Sequence, residues 1–204
     1  MGSRKKLILL IVVMILIVVA GLVYSHHINI GPFQGNSVAG LPDGHVRVLE
    51  AQQPEFLQLQ FSQHGGVEFN HYGSGVFVNF AFYEGDVRTI DETIAGIQTM
   101  GQGDFNGHMT WGLTTQGNEK QELIVNFRAA GIVRNYFDFS QLDFPIRLIA
   151  GPMLGLGNVP IIQDYPYVLQ VWQAGATTLV SGNVFDSANL RRNHYTAILY
   201  ITFE

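Results

Sequence analysis

Seven histidines and sixteen carboxylates are the groups this chain could bring to metal binding or acid–base chemistry. The histidines stand at positions 26, 27, 45, 64, 71, 108 and 194. No two of them have the i, i+4 spacing of a helical metal site or the His-x-His spacing of a strand site. His26 and His27 are adjacent, and two neighbours without a third ligand read as a solvated pair. A ligand set would have to assemble across strands, for example from His71 and His108, and a hydrogen bond within the fold is the expected role of each. No metal and no other cofactor is expected.

Nucleophiles are equally sparse. Cysteine is absent, which removes thiol catalysis, zinc–thiolate sites and disulfides together. Ser74 lies in Gly73-Ser74-Gly75, which lacks the Gly-x-Ser-x-Gly pattern and reads as a turn between strands. The glycines at 151, 155 and 157 resemble a phosphate loop but have neither the lysine nor the following helix that would hold a phosphate. Carboxylates remain. Glu68, Glu84, Asp86, Asp91 and Glu122 could supply an acid and a base for glycan cleavage if two of them, on separate strands, converged within about 5–10 Å. No catalytic residue is assigned from the sequence, and a glycan-active envelope enzyme is the alternative to a non-enzymatic role.

Two groups of residues suit binding. Gln58, Gln60, Asn70 and Tyr72 fall on the polar face of an expected hairpin, where planar amides beside an aromatic ring would meet sugar hydroxyls and the face of a pyranose. Met153, Leu154 and Leu156 belong to an apolar segment, 144–167, that would serve as a protein-contact patch.

Strands must position these side chains. Apolar and polar residues alternate through Leu57–Ser62 and Val67–Tyr72, and a three-residue loop, His64-Gly65-Gly66, would place Phe61 opposite Phe69. Val76–Tyr83 is apolar on both faces apart from Asn79, so it is expected to be a central strand covered on both sides. Further strands fit 108–113, 122–127, 132–137, 146–150, 167–172 and 177–180. In the last, 195–203, Tyr195, Ala197, Leu199, Ile201 and Phe203 share one face. Asp91–Met100 is the one stretch that could be a short helix, and Thr93, Ile94 and Ile97 fit a strand there nearly as well. About ten short strands with this spacing imply an all-β, antiparallel β-sandwich, jelly-roll or Ig-like. It would span residues 45–204 and end in a sheet strand.

The N-terminus is of another kind. Residues 7–24 carry no charge and no strongly polar side chain, and eighteen residues of helix span about 27 Å, close to the hydrocarbon thickness of a bilayer. A secretory signal has a shorter apolar region, so an uncleaved transmembrane anchor is expected. Residues 1–6 contain Arg4, Lys5 and Lys6, which resist translocation and place the C-terminal domain on the far side, a type II orientation. Residues 25–44 carry glycines and prolines without a period and read as a linker.

Charge narrows the partners. Three of the eleven basic residues precede the apolar run, which leaves eight against sixteen acidic ones in the rest of the chain, with Lys120 the only lysine among them. Such a surface does not attract a phosphate backbone, so no nucleic-acid partner is expected. Together with the absence of Asn-x-Ser/Thr sequons, these features point to a surface binding or structural module, in a cell envelope or a membrane-containing virion. Its expected partners are the bilayer through residues 7–24, other surface or assembly proteins, and glycan.

Overall fold

A computed structural model describes residues 2–49, 61–114, 122–129, 132–138, 142, 149–151, 157–175 and 182–204. A single helix, α1 (Gly2–His27), contains the apolar run. Its large apolar side chains between Leu7 and Tyr24 are 46–65% exposed, and none of this apolar run is buried against the described rest of the chain. A helix that is apolar on every side and packs on nothing of its own chain is stable in hydrocarbon, not in water. Among the described residues it is the one helix long and apolar enough to cross a membrane.

The rest is antiparallel β-structure. Its strands are β1 (His45–Val48), β2 (Phe61–Glu84), β3 (Val87–Thr114), β4 (Glu122–Arg128), β5 (Ile132–Asp138), β6 (Ile149–Gly151), β7 (Val159–Pro160), β8 (Tyr167–Ala174) and β9 (Tyr195–Phe203). They pair in the order β5-β4-β3-β2-β9-β8-β6, while β1 bridges β2 and β7. The hairpin of β2 and β3 runs through the whole domain. It turns at Gly85, whose φ of 58° allows Glu84 to pair with Val87.

One edge of β2 follows β3 throughout. The other pairs with β1 over residues 67–70 and with β9 over residues 76–84. The change of partner falls at Gly73-Ser74-Gly75, where the ladder to β3 also shifts register. Ser74 and Gly75 donate their amides to the Glu204 carbonyl, at 2.6 and 3.3 Å, and Glu204 donates back to Gly75 at 2.9 Å. A Cβ on Gly73 would collide with that carbonyl and with the His71 ring, so this close approach of backbones requires glycine.

Rings from the long hairpin meet rings from β9, β8 and β5 in one core. Phe69 meets Phe203 at 5.5 Å, Trp111 meets Trp172 at 5.8 Å and Phe80 meets Phe137 at 4.5 Å between ring centroids. Burying rings of this size supplies about 1.5–3 kcal/mol each, before the extra attraction between them. The indole N–H of Trp172 donates to the Gln63 side chain at 2.8 Å, which satisfies its polar atom inside the core. On the other face of the sheet, Ala81, Tyr83, Val171 and Ile198 are covered by Val184 and Leu190. Leu190 belongs to α2 (Ser187–Leu190), capped by Asp186, whose carboxylate accepts from the Ala188 amide at 2.9 Å.

The antiparallel β-sandwich is thus present, and Val76–Tyr83 is central and covered on both faces as its composition implies. The strands expected at 108–113, 122–127 and 195–203 are present within β3, β4 and β9, and Met109, Trp111, Leu113, Leu123, Val125, Phe127, Leu199, Ile201 and Phe203 all enter the core.

Two local expectations are corrected and one open alternative is decided. No hairpin turns at 64–66, because β2 runs unbroken through Gly65 and Gly66 and Phe61 pairs with Thr114 instead of Phe69. Gly73-Ser74-Gly75 is a bend inside the same strand. Asp91–Met100 is strand, part of β3, and pairs with β2 as far as Gln98. The expected strand at 177–180 lies outside the described residues.

Candidate functional site at the helix exit

The end of α1 is closed tightly. Asn29 takes a left-handed φ of 55°, Ile30 donates to the Ser25 carbonyl at 2.9 Å, and Asn29 donates to the His26 carbonyl at 3.3 Å. This is a Schellman closure with asparagine in the place glycine usually fills. The Asn29 side chain is buried, and its amide donates to the Leu41 carbonyl and to the Asp43 carboxylate, both at 2.9 Å.

The segment that follows is pinned to the sheet. Asn70 of β2 accepts from the Val38 amide at 2.7 Å and donates to the Leu41 carbonyl at 2.8 Å. Arg47 of β1 donates to the Gly40 and Ala39 carbonyls at 3.0 and 3.2 Å, and its Nε and Nη2 both grip Glu68. Leu41 is wholly buried. Residues 28–44, which read as a linker with no regular pattern, form a compact chain of turns fastened to the domain.

Between this segment and the sheet lies a cleft of about 810 Å³. Asn70 and Tyr72 line it from β2. Their direct partners across the ladder, Asn106 and Asp104, line it from β3, with Gln102 further along. His26, Phe33, Ser37 and Asp43 form the wall on the helix side, and Ile161, Gln163 and Glu204 form another. Among the described residues the lining contains no lysine or arginine. Its carboxylates and amides suit a neutral polar group or an amine.

Two of the four residues expected to bind a ligand therefore meet in this cleft. Asn70 is buried, with its amide committed to residues 38 and 41, so its role is structural. The sequence placed it on a solvent face; the connector covers that face. Tyr72 is exposed at the mouth. Gln58 and Gln60 lie outside the described residues, as do Met153, Leu154 and Leu156. The row Gln102, Asp104, Asn106 was legible as a period-two polar face but lies between glycines that obscured it.

The histidines do not gather. His71 is buried against Phe105 and Phe203, and its Nε2 donates to the Glu204 carbonyl at 2.9 Å, which fixes the tautomer. Burial lowers its pKa, opposed by that hydrogen bond. His26 packs edge-on against Phe33 at 5.3 Å. Among the described residues no three His, Cys, Asp or Glu side chains stand close enough to hold a metal ion.

A second cleft, about 620 Å³, opens on the outer face of β2, β3 and β9. Tyr200 donates to Asp91 at 3.2 Å, and Arg88 holds the same carboxylate at 2.7 Å. Burial and the adjacent Asp91 push the Tyr200 phenol up to about 12. Tyr83, Glu92 and Asp164 share the cleft. Of the five carboxylates considered for catalysis, Asp91 is the one that lines it. Glu68 is bound by Arg47 and Asp86 by Arg191, each at 2.7 Å. A third depression, about 340 Å³, lies over Gly65, Gly66 and Gly112, beside Trp111 and Phe61.

Comparison of the chain with protein-family models, with curated proteins and with solved structures gives no match.

Proposed function

We propose that this chain is a single-pass membrane protein of type II orientation whose sandwich domain is a non-enzymatic binding or assembly module on an extracytoplasmic surface. The setting that fits is a cell envelope or a membrane-containing virion. The observation that carries the reading is the pairing of two elements. An apolar run with no packing partner among the described residues leads, through an asparagine-locked exit, into a domain that needs nothing from the helix for its core. Arg4, Lys5 and Lys6 before the helix supply the orientation.

The test is fractionation and protease protection of the full chain expressed in bacteria. The helix should hold the protein in the membrane pellet through alkaline carbonate, with the sandwich cleaved only from the extracytoplasmic side. A soluble product beginning near His26 would overturn the reading. Partners should then co-purify with the detergent-solubilised chain and be lost when the sandwich is unfolded.

The cleft at Asp91 favours glycan as a second reading, because Tyr83 and Tyr200 lie beside carboxylates from β3 and from the segment before β8. Hydrolysis of a glycan polymer that is abolished by Asp91→Asn would replace the non-enzymatic role with that of an envelope glycosidase.

A further inference from the structure

We infer that the end of the sandwich around the helix exit rests on the bilayer surface, with the exposed apolar side chains Ile30, Phe33, Tyr72, Ile162 and Tyr165 seated in the headgroup layer. The inference builds on the anchor proposed above and adds a second, separate contact with lipid.

The connector decides the distance. His26, in the last turn of α1, lines the same cleft as Tyr72 and Asp104 of the sandwich, so the point where the helix leaves the hydrocarbon and the sheet are opposite walls of one cleft. Asn29, Asn70 and Arg47 each hold the connector through side-chain hydrogen bonds to its backbone, which denies it the reach of a free tether. The sandwich therefore cannot stand off from the membrane.

The exposed side chains agree with that placement. Outside α1, the exposed large hydrophobic residues among those described are Ile30, Phe33, Tyr72, Val87, Met100, Ile162 and Tyr165. Phe33 and Tyr72 line the cleft at the exit, as do Ile161 and Gln163 on either side of Ile162. The 161–165 segment is tied there through Ile161 to the Gly44 carbonyl at 2.7 Å and through Asp164 to the Phe203 carbonyl at 2.9 Å. Aromatic and branched side chains concentrated at one end of a domain, beside a membrane helix, are the composition of an interfacial belt. Among the described residues the cleft walls carry Asp43, Asp104 and Glu204 without a lysine or arginine, so the surface suits zwitterionic headgroups and not anionic ones.

Because the chain has no cysteine, single-cysteine variants of the full protein accept one fluorophore each. The probes are Phe33→Cys, Tyr72→Cys and Ile162→Cys at the proposed contact, Val87→Cys at the far tip of the long hairpin, and Leu16→Cys inside the helix. Each carries NBD in phosphatidylcholine vesicles. Nitroxides at the headgroup should quench the first three about twofold more than Val87→Cys, as for groups in the interfacial layer. Adding anionic lipid should not increase that quenching. If Tyr72→Cys and Ile162→Cys are quenched no more than Val87→Cys, the resting contact is wrong. Acyl-chain nitroxides quenching Leu16→Cys would then leave the anchor standing. Absence of that quenching would remove the anchor and the contact together.

Discussion

The Asn70 side chain reaches from the middle of β2 to the Val38 amide, accepting at 2.7 Å, while the same amide group donates back to the Val38 carbonyl at 3.2 Å. One buried asparagine thus stands in for the strand that does not continue alongside β2 at this point. Replacing it with alanine removes these bonds and the one to Leu41, leaving buried backbone groups without partners. Asn70→Ala should cost about 2–3 kcal/mol, which lowers the thermal midpoint of the detergent-solubilised chain by about 4–12 °C for a domain of this size. An unchanged midpoint would show that the connector is not fastened as described.

Asn29 performs two roles that substitutions can separate. Asn29→Gly keeps the left-handed backbone at the helix exit but loses the bonds to Leu41 and Asp43, whereas Asn29→Ala loses both and adds about 1–2 kcal/mol of backbone strain. Hydrogen exchange across residues 30–44 should be faster in Asn29→Gly than in the parent chain, and faster again in Asn29→Ala. Equal protection in all three would mean the exit closes without the asparagine.

Acid should loosen the fold through His71. Burial holds its folded pKa below the ordinary 6.5. Its contribution is therefore complete above about pH 6.5, where both states are neutral, and is lost as pH falls because the unfolded chain takes up the proton first. Denaturation midpoints should decline from pH 6.5 downward, and His71→Gln should flatten that decline while retaining a donor for Glu204. A decline of the same slope in the variant would assign the effect to other groups.

Tyr200 gives a spectroscopic test at the other extreme. With its phenol pushed up to about 12, it stays protonated and donates to Asp91 well past the pH at which ordinary tyrosines ionise. Absorbance titration at 295 nm should show a late-ionising tyrosine that disappears in Tyr200→Phe. Stability from this group is complete below about pH 10 and is lost as pH rises through the folded value.

Glycine positions should differ sharply in tolerance. Gly73→Ala drives a methyl into the Glu204 carbonyl and the His71 ring and should abolish the native fold, whereas Gly101 has nothing within 4 Å of an added Cβ. Gly101→Ala should change the thermal midpoint by no more than a surface substitution does, about 0.5 kcal/mol. Soluble yield and thermal midpoint in detergent report both.

The sequence was informative where burial alone dictates pattern. Val76–Tyr83 and Tyr195–Phe203 are read correctly because a strand covered on one or both faces leaves its signature in its own side chains. It misled at Gly65-Gly66, where glycine serves side-chain packing and not a turn: a Cβ on Gly65 would stand 2.9 Å from the Trp111 indole nitrogen, and one on Gly66 2.7 Å from the Met109 carbonyl. Local sequence does not distinguish glycine needed for space from glycine needed for a positive φ. Order in residues 28–44 was invisible for a related reason, since asparagine and arginine side chains from elsewhere supply the hydrogen bonds. The cleft at the exit exists only because the connector folds back, so half of its wall could not be anticipated from strand patterning.

β9 fills the slot between β2 and β8, yet it follows every other strand in chain order, and its neighbour Glu204 answers His71 from 133 residues away. During synthesis of the anchored chain proposed above, the helix is already lodged in lipid while β2 and β8 still lack the strand between them. Completion of the sheet must then be a late, surface-bound event, and a chain that stalls before residue 195 would leave two sticky strand edges beside the membrane for chaperones or proteases to find.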